Sequence, residues 1–198
     1  MARPGWYGAF GKRAIDLLGA AALLLLLAPL LVLVAAAVLA ALGRPVLFRQ
    51  TRSGRGGQPF TLLKFRSMAN GAGPDATRLG RFGRALRASA LDELPQLLHV
   101  LRGEMSMVGP RPLPPDYRQR FTPRQAERLL VRPGLTGLAQ AAGRNAVPWD
   151  RRLELDARYA ARPTLPGDAA ILARCLLLVL RGHGVAAPGH ATMPEFRG

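Results

Sequence analysis

The sequence predicts an α-rich α+β fold with an N-terminal membrane helix, a small β-hairpin, and amphipathic or interfacial helices beyond it. Three observations predict this. Residues 17–42 contain no charge. Two short β-like runs flank a segment rich in Gly, Ser and Pro. Further on, Leu94, Leu97, Leu98 and Leu101 recur at helical spacing.

At a rise of about 1.5 Å per residue, the uncharged run is long enough to cross a bilayer core of about 30 Å. It is too long for a signal peptide, and Leu42-Gly43-Arg44 is no small-residue cleavage site. Pro29 sits near its middle and favours a kink at that point. Each arm then has about 13 residues and reaches only about 20 Å. Both flanks are basic: Lys12 and Arg13 precede the run, and Arg44, Arg49, Arg52 and Arg55 follow it. The positive-inside tendency keeps both ends in the cytoplasm. The residues alone leave two forms open, a kinked span and a helix that enters and leaves by one face.

Residues 46–50 and 60–65 read as strands, with turn chemistry over residues 51–59. Residues 69–75 read as a loop. Gly103 fits the stop of the leucine-spaced helix. The proline-rich residues 110–115 must be an ordered or extended loop. Residues 123–130 read as a short helix with proline in its first turn. Asp168 reads as the cap of a last helix that ends at Arg181-Gly182. The chain thus divides into an arm and membrane helix (1–43), a main folded unit (44–182) and a frayed tail (183–198).

The chain has 198 residues and a formal net charge of +16, so an anionic partner is expected: nucleic acid, an acidic membrane surface or a phosphorylated substrate. Only Lys12 and Lys64 are lysines; arginine, the better bidentate partner for phosphate, supplies the remaining cations. The single cysteine, Cys175, excludes an intramolecular disulfide and reads as a buried core thiol. His99, His183 and His190 are scattered, without metal-ligand spacing.

Asp92-Glu93 stands out chemically. Between Asp16 and Glu104 the only other acid is Asp75, and residues 44–87 carry ten basic residues. Asp92 falls at the expected N-cap of the leucine-spaced helix, where free N–H groups and the helix dipole favour the ionised form. An ionised carboxylate can attack phosphorus, and a second carboxylate beside it can hold Mg²⁺ against diphosphate oxygens. The plainer reading is a helix cap and nothing more. Three loops could cradle phosphates: residues 64–68 with Lys64 and Arg66, residues 108–112 with Arg111, and residues 131–137 with Arg132. Each is otherwise a solvated turn. No Walker loop or dinucleotide fingerprint occurs.

Together these pieces resemble the bacterial sugar transferases, the monotopic phosphoglycosyl transferases. The resemblance runs from Lys12-Arg13-Ala14-Ile15-Asp16 to Leu180-Arg181-Gly182. Its most specific part is residues 86–97 (Leu-Arg-Ala-Ser-Ala-Leu-Asp-Glu-Leu-Pro-Gln-Leu), continued by residues 102–112. Residues 64–68 and 132–140 match as well.

The resemblance implies a mechanism. Asp92 attacks the β-phosphate of a nucleotide diphosphate sugar, usually a UDP-sugar, and carries the phosphosugar covalently. Polyprenyl (undecaprenyl) phosphate then accepts it, in the first membrane step of a bacterial glycoconjugate pathway. Glu93 binds Mg²⁺; Lys64, Arg87 and Arg111, with Arg66 and Arg132, are the candidate phosphate contacts. It also implies a re-entrant membrane helix kinked at Pro29, with the other helices around a cytoplasmic active site at the bacterial inner membrane. Three departures stand out. His99 replaces a common Asn, Ala28 precedes Pro29 where Ser is common, and the loop at residues 69–77 is short. About 11 residues precede Lys12, which resembles the family's minimal form. A homodimer is compatible with the sequence. The competing classes are a membrane-tethered nucleic-acid binder and an inactive scaffold. Aromatics are only 6% and no recognition motif occurs, so nucleic acid is not the expected partner.

Overall fold

The computed structural model describes residues 7–182, Gly184 and residues 193–198. His183 and His190 lie outside the described residues. A π-helical turn, Tyr7–Gly11, leads into helix α1 (Lys12–Leu42), whose helical assignment runs unbroken through Pro29. Strands β1 (Leu47–Ser53) and β2 (Pro59–Phe65) form an antiparallel hairpin with Leu47 opposite Phe65 and Ser53 opposite Pro59. Then follow α2 (Asp75–Arg78), α3 (Arg81–Ala88), α4 (Leu97–Arg102), β3 (Ser106–Val108), α5 (Pro123–Ala126), β4 (Gly134–Thr136), α6 (Leu138–Ala141), α7 (Trp149–Ala161) and α8 (Leu165–Leu180). The short strands β3 and β4 pair in parallel. The α-rich α+β expectation holds.

Helix α1 is long and apolar enough to cross a membrane by length and composition. It buries a narrow stripe and exposes the rest. Asp16, Ala20, Val34 and Val38 are buried, while Leu25 and Leu26 are 79% and 74% exposed. Its first half packs through Ala20, Leu23 and Leu24 on Phe60, Leu62, Leu97, Val100 and Met105. Its second half packs through Leu30, Leu31, Val34, Ala35 and Val38 on Phe65, Phe82 and Leu86. Both halves therefore rest on elements of the same unit.

Polar ties hold both ends of α1. Arg13 donates to Val100 O (2.7 Å) and Leu101 O (3.2 Å), two carbonyls in the last turn of α4, the first of which also accepts from Gly103 N. The buried Asp16 carboxylate accepts from Ser106 Oγ (2.7 Å) and Met107 N (3.0 Å), joining α1 to β3. At the other end the Arg66 guanidinium donates to Leu42 O (2.5 Å) and Gly43 O (2.6 Å).

Several expectations are corrected. Strand β1 runs to Ser53 rather than stopping at Gln50, because Arg52 and Ser53 pair with Phe60 and Pro59; the turn is confined to residues 54–58. Helix α4 starts only at Leu97, after a 3₁₀ turn, Leu91–Gln96, that contains Pro95. Gly103 closes α4 in a left-handed conformation, as expected. Thr164, not Asp168, caps α8 by accepting from Gly167 N. Asp168 is instead a buried hub that accepts from Tyr7 Oη (2.5 Å), Lys12 Nζ (2.6 Å) and Tyr159 Oη (2.8 Å). The tail is not frayed over residues 193–198: Phe196 is buried with Leu113, Tyr117 and Leu153. Cys175 is a buried thiol packed with Val108, Tyr159 and Ile171.

His99 is buried on β2, where its Nε2 accepts from Leu63 N at 2.9 Å and its Nδ1 meets Glu104 Oε2 at 2.6 Å. An imidazole that accepts at Nε2 must carry its proton at Nδ1. His99 is therefore a strut between β2 and the turn after α4.

Candidate active site

Asp92 and Glu93 lie in the 3₁₀ turn Leu91–Gln96 rather than at a helix N-cap. The cap position belongs to Ala90, which has φ 56° and ψ 14°. A left-handed alanine costs on the order of 1 kcal/mol, and such strain concentrates where backbone direction matters. Here it reverses the chain between α3 and the 3₁₀ turn, which packs on β2. Asp92 is 4% exposed.

That burial changes its chemistry. Burial, then the neighbouring Glu93 charge, pushes the Asp92 carboxyl up to about 6, against the opposing pull of Lys64, Arg87 and Arg111. The cap effect expected to lower it is absent. Glu93 behaves oppositely. Burial pushes its carboxyl up, but the charge and hydrogen bonds of Arg111, with Lys64 and Arg144, outweigh burial and hold it below the usual range. The adjacent carboxylates thus separate into an ionised partner of arginine and a group that titrates near neutrality.

Arg111 reaches both Glu93 oxygens, at 3.2 and 2.5 Å, in the two-pronged geometry suited to a carboxylate. Its backbone is fixed by a clasp between two of the loops read as phosphate cradles. Gly109 N donates to Thr136 O (2.8 Å) and Gly134 N donates to Pro110 O (2.9 Å). A Cβ on Gly134 would stand 2.0 Å from Gly109 N, so only glycine allows this approach. Arg128, buried and paired with Asp156 at 2.8 Å, donates to Arg111 O at 2.6 Å. A buried ion pair thus braces the peptide that presents Arg111.

Lys64, Arg87 and Arg111 line an open cleft of about 1070 Å³. Asp92 and Glu93 are not among its lining residues, but the charges of those three cations act on both carboxyls or on one of them. Arg87 is oriented by donating from Nε to Ser67 Oγ at 2.9 Å. Burial lowers the pKa of both Lys64 and Arg87, partly offset by Asp92. Arg49, Arg52, Arg66, Arg78 and Arg152 also line the cleft, with Asp75 the only acid among its lining residues. Such a cleft attracts a polyanion.

The structure brings Asp92, Glu93, Lys64, Arg87 and Arg111 together and sets two candidates apart. Arg66 borders the cleft, but its guanidinium is spent on the α1 carbonyls and on Asn70 Oδ1. Arg132 lies elsewhere, in a small cavity of about 120 Å³ beside Lys12, Arg13 and Arg55, and donates to Gly103 O at 2.8 Å. Its loop serves as half of the clasp, which explains its glycines and proline. Sequence reading missed Arg52, Arg152 and Trp149. Arg152 had a readable signal: a cation on the same helical face as Leu155, Asp156 and Tyr159, all buried.

Among the described residues no cluster of three or more His, Cys, Asp or Glu is placed to hold a metal. Asp92 and Glu93 offer two adjacent carboxylates, a set that suits a Mg²⁺ ion whose remaining ligands are substrate phosphates and water. Glu93 would then share its oxygens with Arg111.

The bacterial sugar transferase family model matches residues 7–182. The chain is 42% identical over 193 residues to an uncharacterized sugar transferase, EpsL, of Bacillus subtilis, covering 94% of this chain and 96% of that one. It is 51% identical over 143 residues to the UDP-glucose:undecaprenyl-phosphate glucose-1-phosphate transferase of Caulobacter vibrioides, covering 67% of this chain and 54% of that protein. It is 36% identical over 200 residues to the exopolysaccharide production protein ExoY of Rhizobium meliloti, covering 89% and 88%. With a shared stretch that takes in α1, the hairpin, the Asp92-Glu93 turn and the clasp, the chain belongs to the bacterial sugar transferase family.

Proposed function

We propose that this protein is a membrane-associated phosphoglycosyl transferase that moves a sugar-1-phosphate from a nucleotide diphosphate sugar, with UDP the expected carrier, to polyprenyl phosphate. The observation that carries the reading is a buried aspartate, Asp92, that feels the charges of Lys64, Arg87 and Arg111, three cations lining a basic cleft. In the first step an Asp92 oxygen attacks the β-phosphorus. The bond from that phosphorus to the bridging oxygen breaks, and nucleoside monophosphate leaves. In the second step a phosphate oxygen of the lipid attacks the same phosphorus. The aspartyl–phosphorus bond breaks, the carboxylate is restored, and polyprenyl diphosphosugar is released. Lys64, Arg87 and Arg111 hold the charged oxygens, and Glu93 keeps Arg111 aimed. The name of the undecaprenyl-phosphate relative supports the acceptor, and that of ExoY supports a place in exopolysaccharide production. On this reading the site works at the cytoplasmic face of the inner membrane, on the side where nucleotide sugars are available.

Asp92→Asn keeps the side chain's size and removes its nucleophilic charge. Turnover falls by about 10³ or more, by analogy with other lost nucleophiles. Wild type incubated with radiolabelled UDP-sugar and no lipid retains label on the Asp92 peptide, and steady-state kinetics are ping-pong. An obligatory ternary complex with no label trapped under quench would remove the covalent role.

The raised carboxyl of Asp92 gives a pH dependence of definite sign. Only the ionised form attacks, so the first half-reaction rises about tenfold per pH unit below about 6 and levels above it. The burst of nucleoside monophosphate without lipid acceptor reads this step alone. A flat profile from pH 5 to 8 contradicts the assignment.

Glu93 would hold Mg²⁺, which would supply positive charge to offset the repulsion between the diphosphate and the carboxylates. Turnover stops in excess EDTA and returns with added Mg²⁺. Glu93→Gln weakens the metal requirement or abolishes turnover. Full activity in EDTA rules this role out.

The topology we propose is a re-entrant α1, bent at Pro29, with both ends in the cytoplasm. The support is that its two halves and both ends contact one unit. In a Cys175→Ala background, neither Gly5→Cys nor Thr51→Cys reacts with an impermeant maleimide from the periplasm, and both react after permeabilisation. Outside labelling at one site alone means a true span.

A further inference from the structure

We infer that residues 193–196, which lie beyond the stretch matched by the family, form the wall of the cleft that seats the nucleoside end of the donor and so set donor affinity. This rests on the reading above that the chain takes a nucleotide diphosphate sugar.

The lining of the cleft comes from two different parts of the fold, which we take as its two ends. Pro45 and Val46 line one, directly after the apolar α1 and beside the Arg66 tie to Leu42 and Gly43. A lipid acceptor reaches the cleft from there. Trp149, Arg152, Met193 and Pro194 also line it, and the aromatic cluster that seats this region contains no residue of α1. The water-soluble substrate is left with that end. Lys64 and Arg87, beside Asp92, hold the reacting phosphorus between the two.

The segment is built in rather than draped over. Gly184 O accepts from Asn145 N at 2.9 Å, and Gly184 has φ +69°. A Cβ there would stand 2.3 Å from Gly143 O, so the glycine lets the chain turn tightly onto the Asn145 loop. Trp149 Nε1 then donates to Pro194 O at 3.0 Å, and Phe196 N donates to Tyr117 Oη at 3.2 Å. The Phe196 ring is 3% exposed and packs at 5.4–5.9 Å from Trp149, Tyr117 and Phe121. Phe196 thus anchors Met193 and Pro194 at the cleft.

The chemistry at this end fits a nucleotide. Tyr117 is buried in the ring cluster, and the half-buried Trp149 supplies aromatic surface at the cleft that a base can meet. Arg152, 4% exposed, lies over the Trp149 ring at 5.1 Å with Met193 Sδ at 3.8 Å from its NH2. Its Nε is a buried donor with no hydrogen-bond partner among the described residues. Burial, then the like charge of Arg111, pulls its pKa down to about 10, and an arriving phosphate offsets both.

Calorimetric titration of the full chain in detergent with a panel of nucleoside diphosphates, and separately with undecaprenyl phosphate, tests the inference. Four variants are compared with wild type: a chain ended at residue 192, Phe196→Ala, Phe196→Leu and Met193→Glu. We expect wild type to bind UDP. The shortened chain and Phe196→Ala weaken UDP at least tenfold, Phe196→Leu recovers to within about threefold, and affinity for undecaprenyl phosphate stays within twofold throughout. Met193→Glu leaves the anchor in place and pairs with Arg152, so it also weakens UDP tenfold or more with an unchanged thermal melt. That variant decides the matter if the shortened chain does not fold. Unchanged UDP affinity in Met193→Glu, equal weakening of both ligands, or no nucleotide bound by wild type overturns the inference. Failure of the transferase reading shows differently: UDP binds with this dependence, yet no nucleoside monophosphate is released from any UDP-sugar.

Discussion

An apolar helix has no preferred direction in lipid unless something polar holds its ends. In this chain the holding groups are Arg13 and Asp16 at the start of α1 and Arg66 at its finish, each bonded to backbone or side chains of the same folded unit. The helix between them needs only a thin stripe of contact, because its remaining faces are apolar and exposed. Everything else follows from that fastening. Helix α4 and β3 take their places against its first half, α3 against its second and the hairpin along both, and the Asp92 turn packs between β2 and α3.

The charge of the chain is spent in two ways. One set of arginines, including Arg13, Arg66, Arg128 and Arg132, satisfies carbonyls and a buried carboxylate, replacing hydrogen bonds that short helices and proline-rich loops leave open. Another set, with Lys64, is gathered around the cleft with few acids beside it. The first set builds the framework, and the second makes the cleft a trap for anions. A formal charge of +16 is therefore a poor guide to nucleic-acid binding in this protein, since much of it is committed inside the fold.

Much of the architecture was legible in the chain. The uncharged run, the turn chemistry between two β-like segments, the stop at Gly103 and the isolation of Asp92-Glu93 among basic residues all rest on local rules, and local rules held there. What escaped were directions and distant partners. Asp92 looked like a helix cap because Ala90 gives no hint that it adopts a left-handed conformation. Arg66 and Arg132 sit in the right kind of loop, but nothing in a motif tells which way a guanidinium points. Asp168 resembled a cap by position, although its partners Tyr7 and Lys12 are more than 150 residues away. The docking of Phe196 depends on rings contributed by two separate segments, Tyr117 and Phe121 in one and Trp149 in the other, neither patterned to announce it.

The elevated carboxyl of Asp92 has a consequence for the lifetime of any species formed on it. A carboxylate whose conjugate acid has a pKa of about 6 is more basic than an ordinary aspartate. Basicity raises its strength as an attacking group and lowers its willingness to depart. On the proposed mechanism the same oxygen does both in turn, so burial speeds capture of the phosphosugar and slows its surrender. An aspartate left in water would form an adduct that hydrolyses readily; a buried one yields an adduct that persists until a stronger nucleophile arrives. For a reaction whose acceptor diffuses in the plane of a membrane while its donor comes from solution, that persistence lets the two substrates arrive at different times.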